Sequence, residues 1–255
     1  MLSQHILFDL DDTLIHCNKH FTLTRELFLD LMMSLFQDFP VERSLIDKTQ
    51  EKIDMAGVEK WGLGKNRFPD SLVQTYRLMC QKYGKIPEQK EEARILELGH
   101  SVYDFDIELY PYAMNTLEKL IKQGHDLYLY TGGDFQIQTQ KVLEAGLDVI
   151  FPEQKRFIYE HKNTKVLRHI LTRYNFHPQK TWMVGNSARS DIRPALETGI
   201  HAIHIPDEFG WKYDRVELDV PAKGEFHVLR SIADVPDVIA EIAGRGANQR
   251  REQMG

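Results

Sequence analysis

Cysteine is nearly absent: Cys17 and Cys80 are the only two in 255 residues. Two thiols so far apart do not resemble the disulfide framework of a small secreted domain, and both are expected to be reduced and partly buried. No apolar run approaches the roughly 18 residues that a membrane span takes. The first residues also lack a basic segment, a long apolar stretch and a small-residue cleavage site, running from Met1 straight into His5-Ile6-Leu7-Phe8. A cytoplasmic protein with no membrane partner is the expectation. Nor is there a basic excess. Lys and Arg number 32 against 38 Asp and Glu, and the net charge of −6 disfavours a nucleic-acid surface. Arg245, Arg250 and Arg251 are a local exception in the polar segment 244–255, which reads as a frayed, disordered tail. Repeats, low-complexity tracts and coiled-coil heptads are missing as well.

The chain is long enough to bury one large core with a smaller insert. Four short apolar runs read as strands: His5 to Leu10, Asp126 to Tyr130, Thr181 to Val184 and His201 to Ile205. Between them, Ala113, Leu117, Leu120 and Ile121 keep helical spacing up to Gly124, and Val166, Leu167, Ile170, Leu171 and Tyr174 mark another helix. Strands alternating with helices imply an α/β fold with a doubly wound parallel sheet. The stretch 16–106 breaks the alternation. Leu27, Leu31, Leu35, Ile46, Leu72, Tyr76, Met79, Ile95 and Leu98 fall in helical stretches there, and Pro40, Gly62, Gly64, Pro69, Gly84 and Pro87 divide them into about four helices. The expected organisation is therefore a core of 1–15 and 107–243 with a small helical insert at 16–106. Residues 206–224 read as a loop-rich excursion, Phe226 to Leu229 as a last strand, and Val235 to Ala243 as a closing helix with Pro236 in its first turn.

Chemistry concentrates at the strand ends. The first strand runs into Phe8-Asp9-Leu10-Asp11-Asp12-Thr13-Leu14, and open α/β sheets bind ligands beyond the carboxyl ends of their strands. Three carboxylates within four residues repel one another and call for a cation, which magnesium supplies through oxygen ligands. If the segment is extended, Asp9 and Asp11 share a face. One then serves as a carboxylate nucleophile and the other as the acid for the leaving group. Standing alone, the same acids equally suit an Asx turn or a helix cap.

Three further segments are each ambiguous alone. Thr131-Gly132-Gly133 after the second strand offers a hydroxyl and close-approaching amides for phosphoryl oxygens, or is simply a turn. Lys162, before Asn163-Thr164, is a charge clamp or a solvated lysine. In Gly185-Asn186-Ser187-Ala188-Arg189-Ser190-Asp191, Asn186 and Asp191 offer oxygen to a metal, while Ser190 or Asp191 suits a helix cap.

In the order Asp-x-Asp-x-Thr-Leu, strand-Thr, Lys, Gly-Asn-Ser-x-x-Ser-Asp, the chain resembles the haloacid dehalogenase-like hydrolase superfamily from Asp9 to Asp191. The resemblance implies a Rossmann-like core and a magnesium-dependent phosphohydrolase acting on a small phosphorylated metabolite through an aspartyl-phosphate. Asp9 is then the nucleophile and Asp11 the general acid/base. Thr131, Gly132 and Lys162 hold the phosphoryl group, with Mg2+ at Asp9, Asp11, Asn186 and Asp191. It also implies that 16–106 is a helical cap of the C1 type that closes over the cleft and selects the substrate. The family's fourth motif usually begins Gly-Asp, so Asn186 removes one charge from the metal shell and predicts weaker magnesium binding. Asp11 separates the chain from the family's dehalogenases, which lack a second Asp. A phosphomutase and a noncatalytic binding module are the alternatives. For the substrate, Trp61, Lys65 and Arg67 in the loop-like stretch 61–67 are candidates to stack on a base or grip an anion, or are ordinary solvated loop residues.

Overall fold

The computed structural model describes residues 3–207 and 210–252, with 245–252 described by main chain only. The chain divides into two compact units, one formed by Met1–His16 with Ile107–Gly255 and the other by Cys17–Asp106.

In the first unit, β1 (His5–Phe8), β2 (Asp126–Gly132), β3 (Arg156–Tyr159), β4 (Thr181–Gly185), β5 (His201–His204) and β6 (Phe226–Val228) form one sheet, ordered β3-β2-β1-β4-β5-β6. Every neighbouring pair is parallel. Alternation along the strands fills both faces. Ile6, Phe8, Leu127, Leu129, Trp182 and Val184 pack on one side with α5 (Ala113–Lys122) and α9 (Val235–Glu252). Leu7, Tyr130, Met183 and Ala202 pack on the other with α7 (Thr164–Arg173) and α8 (Arg193–Thr198). The strand order reverses between β1 and β4, and at such a switch point the loops beyond the carboxyl ends diverge and leave a crevice.

Two elements of this unit escape sequence reasoning, β3 and α6 (Phe135–Glu144). The closing helix also runs past Ala243 to Glu252, where a frayed tail was expected from 244. Gly244 and Gly246 each cost about 1 kcal/mol in a helix interior but do not by themselves stop one. Residues 253–255 of that expected tail lie outside the described residues.

The second unit is helical: α1 (Asn18–Leu35), α2 (Arg43–Trp61), α3 (Arg67–Tyr83) and α4 (Gln89–His100), as the breaker residues suggest. Phe28, Met32, Ile46, Leu72, Tyr76 and Ile95 form its core. At Gly99 a Cβ would stand 2.6 Å from Pro69 Cα, so only glycine lets α4 approach α3 this closely. Arg67 is not a free loop cation: it opens α3 and is paired with the buried Asp54 carboxylate. Trp61 remains 68% exposed at the end of α2, with Lys60 Nζ 4.5 Å from its ring centroid. Among the described residues no helix is long and apolar enough to cross a membrane.

Candidate active site

The site lies wholly in the first unit, at the carboxyl ends of β1, β2 and β4. β1 ends at Phe8, and Asp9 continues its pairing with β4 through its N–H, which donates to the Val184 carbonyl at 2.9 Å. The chain then turns. The amides of Leu14 and Ile15 donate back to the Leu10 carbonyl at 2.9 and 3.1 Å, and Asp12 takes a left-handed φ of 59°. The Asp9 and Asp11 carboxylates find different partners, yet Asp11 lies close enough to Asp9 to help raise its carboxyl.

Asp9 is 6% exposed. Its Oδ1 accepts from Lys162 Nζ at 2.6 Å and its Oδ2 from Thr13 Oγ1 at 3.1 Å. Thr13 Oγ1 also stands 3.5 Å from Asn186 Oδ1, so one hydroxyl lies between the nucleophile candidate and the neutral residue of the fourth motif. Lys162 sits just before Asn163, whose Oδ1 caps α7 by accepting from the Val166 amide at 3.1 Å. The cap turns the chain into the helix and leaves Lys162 facing the strand ends, its side chain 4% exposed. There it pairs with both Asp9 and Asp191 and lies 4.8 Å from the Tyr130 ring centroid.

Asp191 reaches the cluster from a π-helical turn, Ala188–Ile192. That turn is capped by Ser187 rather than Ser190 or Asp191: Ser187 Oγ accepts from the Ser190 amide at 3.0 Å. Asp191 Oδ2 accepts from the Ser187 amide at 3.0 Å. Gly185 is indispensable beside it, because a Cβ there would lie 2.3 Å from Asp191 Oδ2. Gly185→Ala is expected to displace this carboxylate, lower stability by about 1–3 kcal/mol and remove most activity. Thermal melts and turnover measured together test it, and a fully active Ala variant would contradict the packing.

Burial pushes the Asp9 carboxyl up to about 7, against the pull of Lys162. Asp191 is likewise raised by burial and held back by Lys162. Burial opposes the charge on Lys162, but Asp191 and Asp9 more than offset it, so its ammonium is held above the ordinary lysine range. A third acid joins them. Asp214, from the loop after β5, accepts from Ser187 Oγ at 2.6 Å, and burial pushes its carboxyl up to about 6, with Asp9 adding to the rise. One ammonium thus pairs with two buried carboxylates, with the half-buried Asp214 close by.

Thr131 is fully buried at the end of β2, and its Oγ1 lies 2.6 Å from Gln138 Nε2. Of the two glycines that follow, Gly133 has its amide taken by the Tyr159 carbonyl at 2.9 Å and adopts φ 141°. Asp134 then caps α6, its Oδ1 accepting from the amides of Gln136 and Ile137. One helical face later, Gln138 Nε2 donates to Asp11 Oδ2 at 2.9 Å and Lys141 Nζ to Asp11 Oδ1 at 2.7 Å. The structure therefore gathers Asp9, Lys162, Asn186 and Asp191, while the Asp11 carboxylate is turned to α6. Thr13, Gln138, Lys141 and Asp214 escape sequence reasoning. The usable signal for two of them was Gln138 and Lys141 at helical i, i+3 spacing directly after the Thr-Gly-Gly turn.

A family model, described as haloacid dehalogenase-like hydrolase, matches residues 4–199. The chain is 25% identical over 238 residues to a glyceraldehyde 3-phosphate phosphatase of Methanothermobacter thermautotrophicus, covering 89% of this chain and 98% of that one. It is 24% identical to the phosphatase of the same name from Methanocaldococcus jannaschii, over 90% of this chain and 95% of that one. Among solved structures, a haloacid dehalogenase-like family hydrolase from Xanthomonas campestris superposes with a TM-score of 0.75 at 21% identity, covering 96% of this chain and 98% of that one. The L-2-haloacid dehalogenase of Xanthobacter autotrophicus shares the fold at a TM-score of 0.58 and 13% identity, over 94% and 99%.

Proposed function

Because this chain belongs to the haloacid dehalogenase-like hydrolase family, we propose that it is a phosphatase in which Asp9 attacks the phosphorus of a small phosphomonoester and Asp11 moves the proton. The fold is shared by dehalogenases and phosphatases, so residues must decide between them. The observation that carries the reading is the pair of acids with separate settings: Asp9 buried against a lysine, Asp11 held by α6. A halide leaves without a proton, whereas an alkoxide needs one, and Asp11 is the group in reach to give it. The phosphatases among the chain's relatives support the same choice.

An Asp9 carboxylate oxygen forms a bond to phosphorus as the bond from phosphorus to the substrate oxygen breaks, and that oxygen leaves with the proton of Asp11. Asp11, now a carboxylate, takes a proton from water. The resulting hydroxide attacks the aspartyl-phosphate, and the bond between Asp9 and phosphorus breaks to release inorganic phosphate. Lys162 stabilises negative charge on Asp9 and on the transferred group, and the Thr131 hydroxyl orients a phosphoryl oxygen.

The donor set fits Mg2+. Asp9, Asp191 and Asn186 offer only oxygen, the ligand type hard cations take, and two buried carboxylates against one lysine, with the half-buried Asp214 beside them, leave a charge deficit that a divalent cation relieves. When bound, the cation would draw charge from the phosphoryl oxygens. Asp9, Asn186 and Asp191 are the residues proposed to hold it, Asn186 contributing a neutral oxygen. Asn186→Asp is expected to tighten magnesium binding about 10-fold, since affinity follows ligand charge. Calorimetric titration reads this directly, and equal affinity in the two proteins would remove Asn186 from the site.

The unit of Cys17–Asp106 is proposed as the cap that selects the substrate, and a three-carbon sugar phosphate is the first compound to test. A phosphate-release screen over sugar phosphates, 2-phosphoglycolate and nucleotides, with and without magnesium, tests the function. No release from any of them, or from an aryl phosphate, would defeat the reading.

A further inference from the structure

The acids and the lysine that carry the proposed reaction do not explain Gln138 and Lys141. Both lie on α6, one helical step apart, and both reach across 127 and 130 residues of sequence to the same carboxylate. Gln138 is 2% exposed, and Lys141 and Asp11 side chains are 15% and 24% exposed. The helix is placed with care. Asp134 fixes its first turn, and Gly133 approaches so closely that a Cβ there would stand 3.1 Å from the Gln138 side chain.

Chemistry sets the direction of each contact. A carboxylate paired with an ammonium accepts, so the NH2 end of Gln138 must face Asp11. Its two hydrogens then go to Asp11 Oδ2 and to Thr131 Oγ1. Because Thr131 Oγ1 accepts there, its own hydrogen is directed elsewhere, which suits a donor to a phosphoryl oxygen. Each Asp11 oxygen keeps a second lone pair for the proton it exchanges, since a carboxylate offers about four acceptor sites.

We propose that Gln138 and Lys141 are positioning residues: together they fix the Asp11 carboxylate, and Gln138 couples its placement to the hydroxyl of Thr131. The inference rests on the phosphatase reading and extends it. Neither residue touches the reacting atoms. They act through Asp11, which must stand at the leaving oxygen in the first step and at water in the second, where small misplacements are costly.

The consequence is a dependence on the leaving group. Release of p-nitrophenol in the first turnover needs no acid, whereas release of an alkyl alcohol does. In Gln138→Leu and Lys141→Met, turnover of an alkyl phosphate is expected to fall about 10- to 100-fold. The first-turnover burst of p-nitrophenol should stay within about 3-fold of the unaltered protein in Lys141→Met, and in Gln138→Leu, which also releases the Thr131 hydroxyl, it should fall by less than alkyl turnover does. Steady-state p-nitrophenol release should slow after that burst, as the aspartyl-phosphate waits for its base. Lys141→Arg, which keeps the charge and two donors, is expected to restore part of the alkyl activity. Should Gln138→Leu fail to fold by thermal melting, Gln138→Asn repeats the test with a donor of shorter reach. Parallel losses on both substrates, or no loss on either, would overturn the positioning role. That result in an active protein leaves the phosphatase reading intact, whereas an Asp9→Asn variant with full activity strikes the reading itself.

Discussion

Asp9→Asn is expected to lower phosphate release by at least about four orders of magnitude while the protein stays folded. The amide cannot form the bond to phosphorus that the carboxylate makes, so the loss should appear in kcat and in the first-turnover burst alike. Stability should move little or rise. Asp9, Asp191 and Lys162 place two carboxylates around one ammonium in a buried cluster. Removing one carboxylate leaves Lys162 paired with Asp191, and removes a group whose burial disfavours its charge. The change in unfolding free energy is therefore expected within about 1 kcal/mol of zero or on the stabilising side. Turnover and melting temperature of the same preparation check both halves. Appreciable activity in Asp9→Asn would refute the nucleophile, and a large drop in stability would mean that the carboxylate is chiefly structural.

How far the sequence reached depends on what each element needed. β1, β2, β4 and β5 were legible because each is a short apolar run buried on both faces, and both helical periodicities, at Ala113 and at Val166, correspond to real helices. β3 was not. In Arg156-Phe157-Ile158-Tyr159 only Phe157 is buried, as befits an edge strand, and its three apolar residues, set between Lys155-Arg156 and Glu160-His161, make too short a run to stand out. α6 was missed for a related reason: in Phe135–Glu144 only Gln138 and Val142 are buried, and one of them is polar. A helix that turns polar side chains inward has no apolar stripe to betray it.

The site divides the same way. Asp9, Asp11, Thr131, Lys162 and the Asn186 to Asp191 segment were legible because their order along the chain is itself informative. What was not legible is which acid faces which partner. Nothing in Asp9-Leu10-Asp11 itself says that Lys162 takes Asp9 while Gln138 and Lys141 take Asp11. Asp214 was hidden in a loop with no periodicity, and its relevance comes from the Ser187 hydroxyl 27 residues earlier.

Lys162→Met should have the opposite profile to Asp9→Asn, with a stability cost added to the loss of activity. It leaves Asp9 and Asp191 buried, 6% and 1% exposed, without their shared cation. Breaking a buried pair from one side costs about 3–5 kcal/mol. In a protein of this size that lowers Tm by roughly 6–20 °C, at about 2–4 °C per kcal/mol. The carboxylates can escape part of the cost by taking up protons, so the deficit should be smaller at pH 5 than at pH 8. Adding Asp9→Asn to Lys162→Met removes one of the two stranded charges. The double variant should therefore melt above Lys162→Met, a non-additivity that a double-mutant cycle quantifies. Magnesium gives a second handle, since a cation held by the same oxygens replaces part of the missing charge. The Tm deficit should be largest in chelator and shrink at millimolar Mg2+. A Lys162→Met protein that melts like the unaltered one in chelator would show that the cluster is already neutral without its lysine, and would undo the charge argument on which the cation site rests.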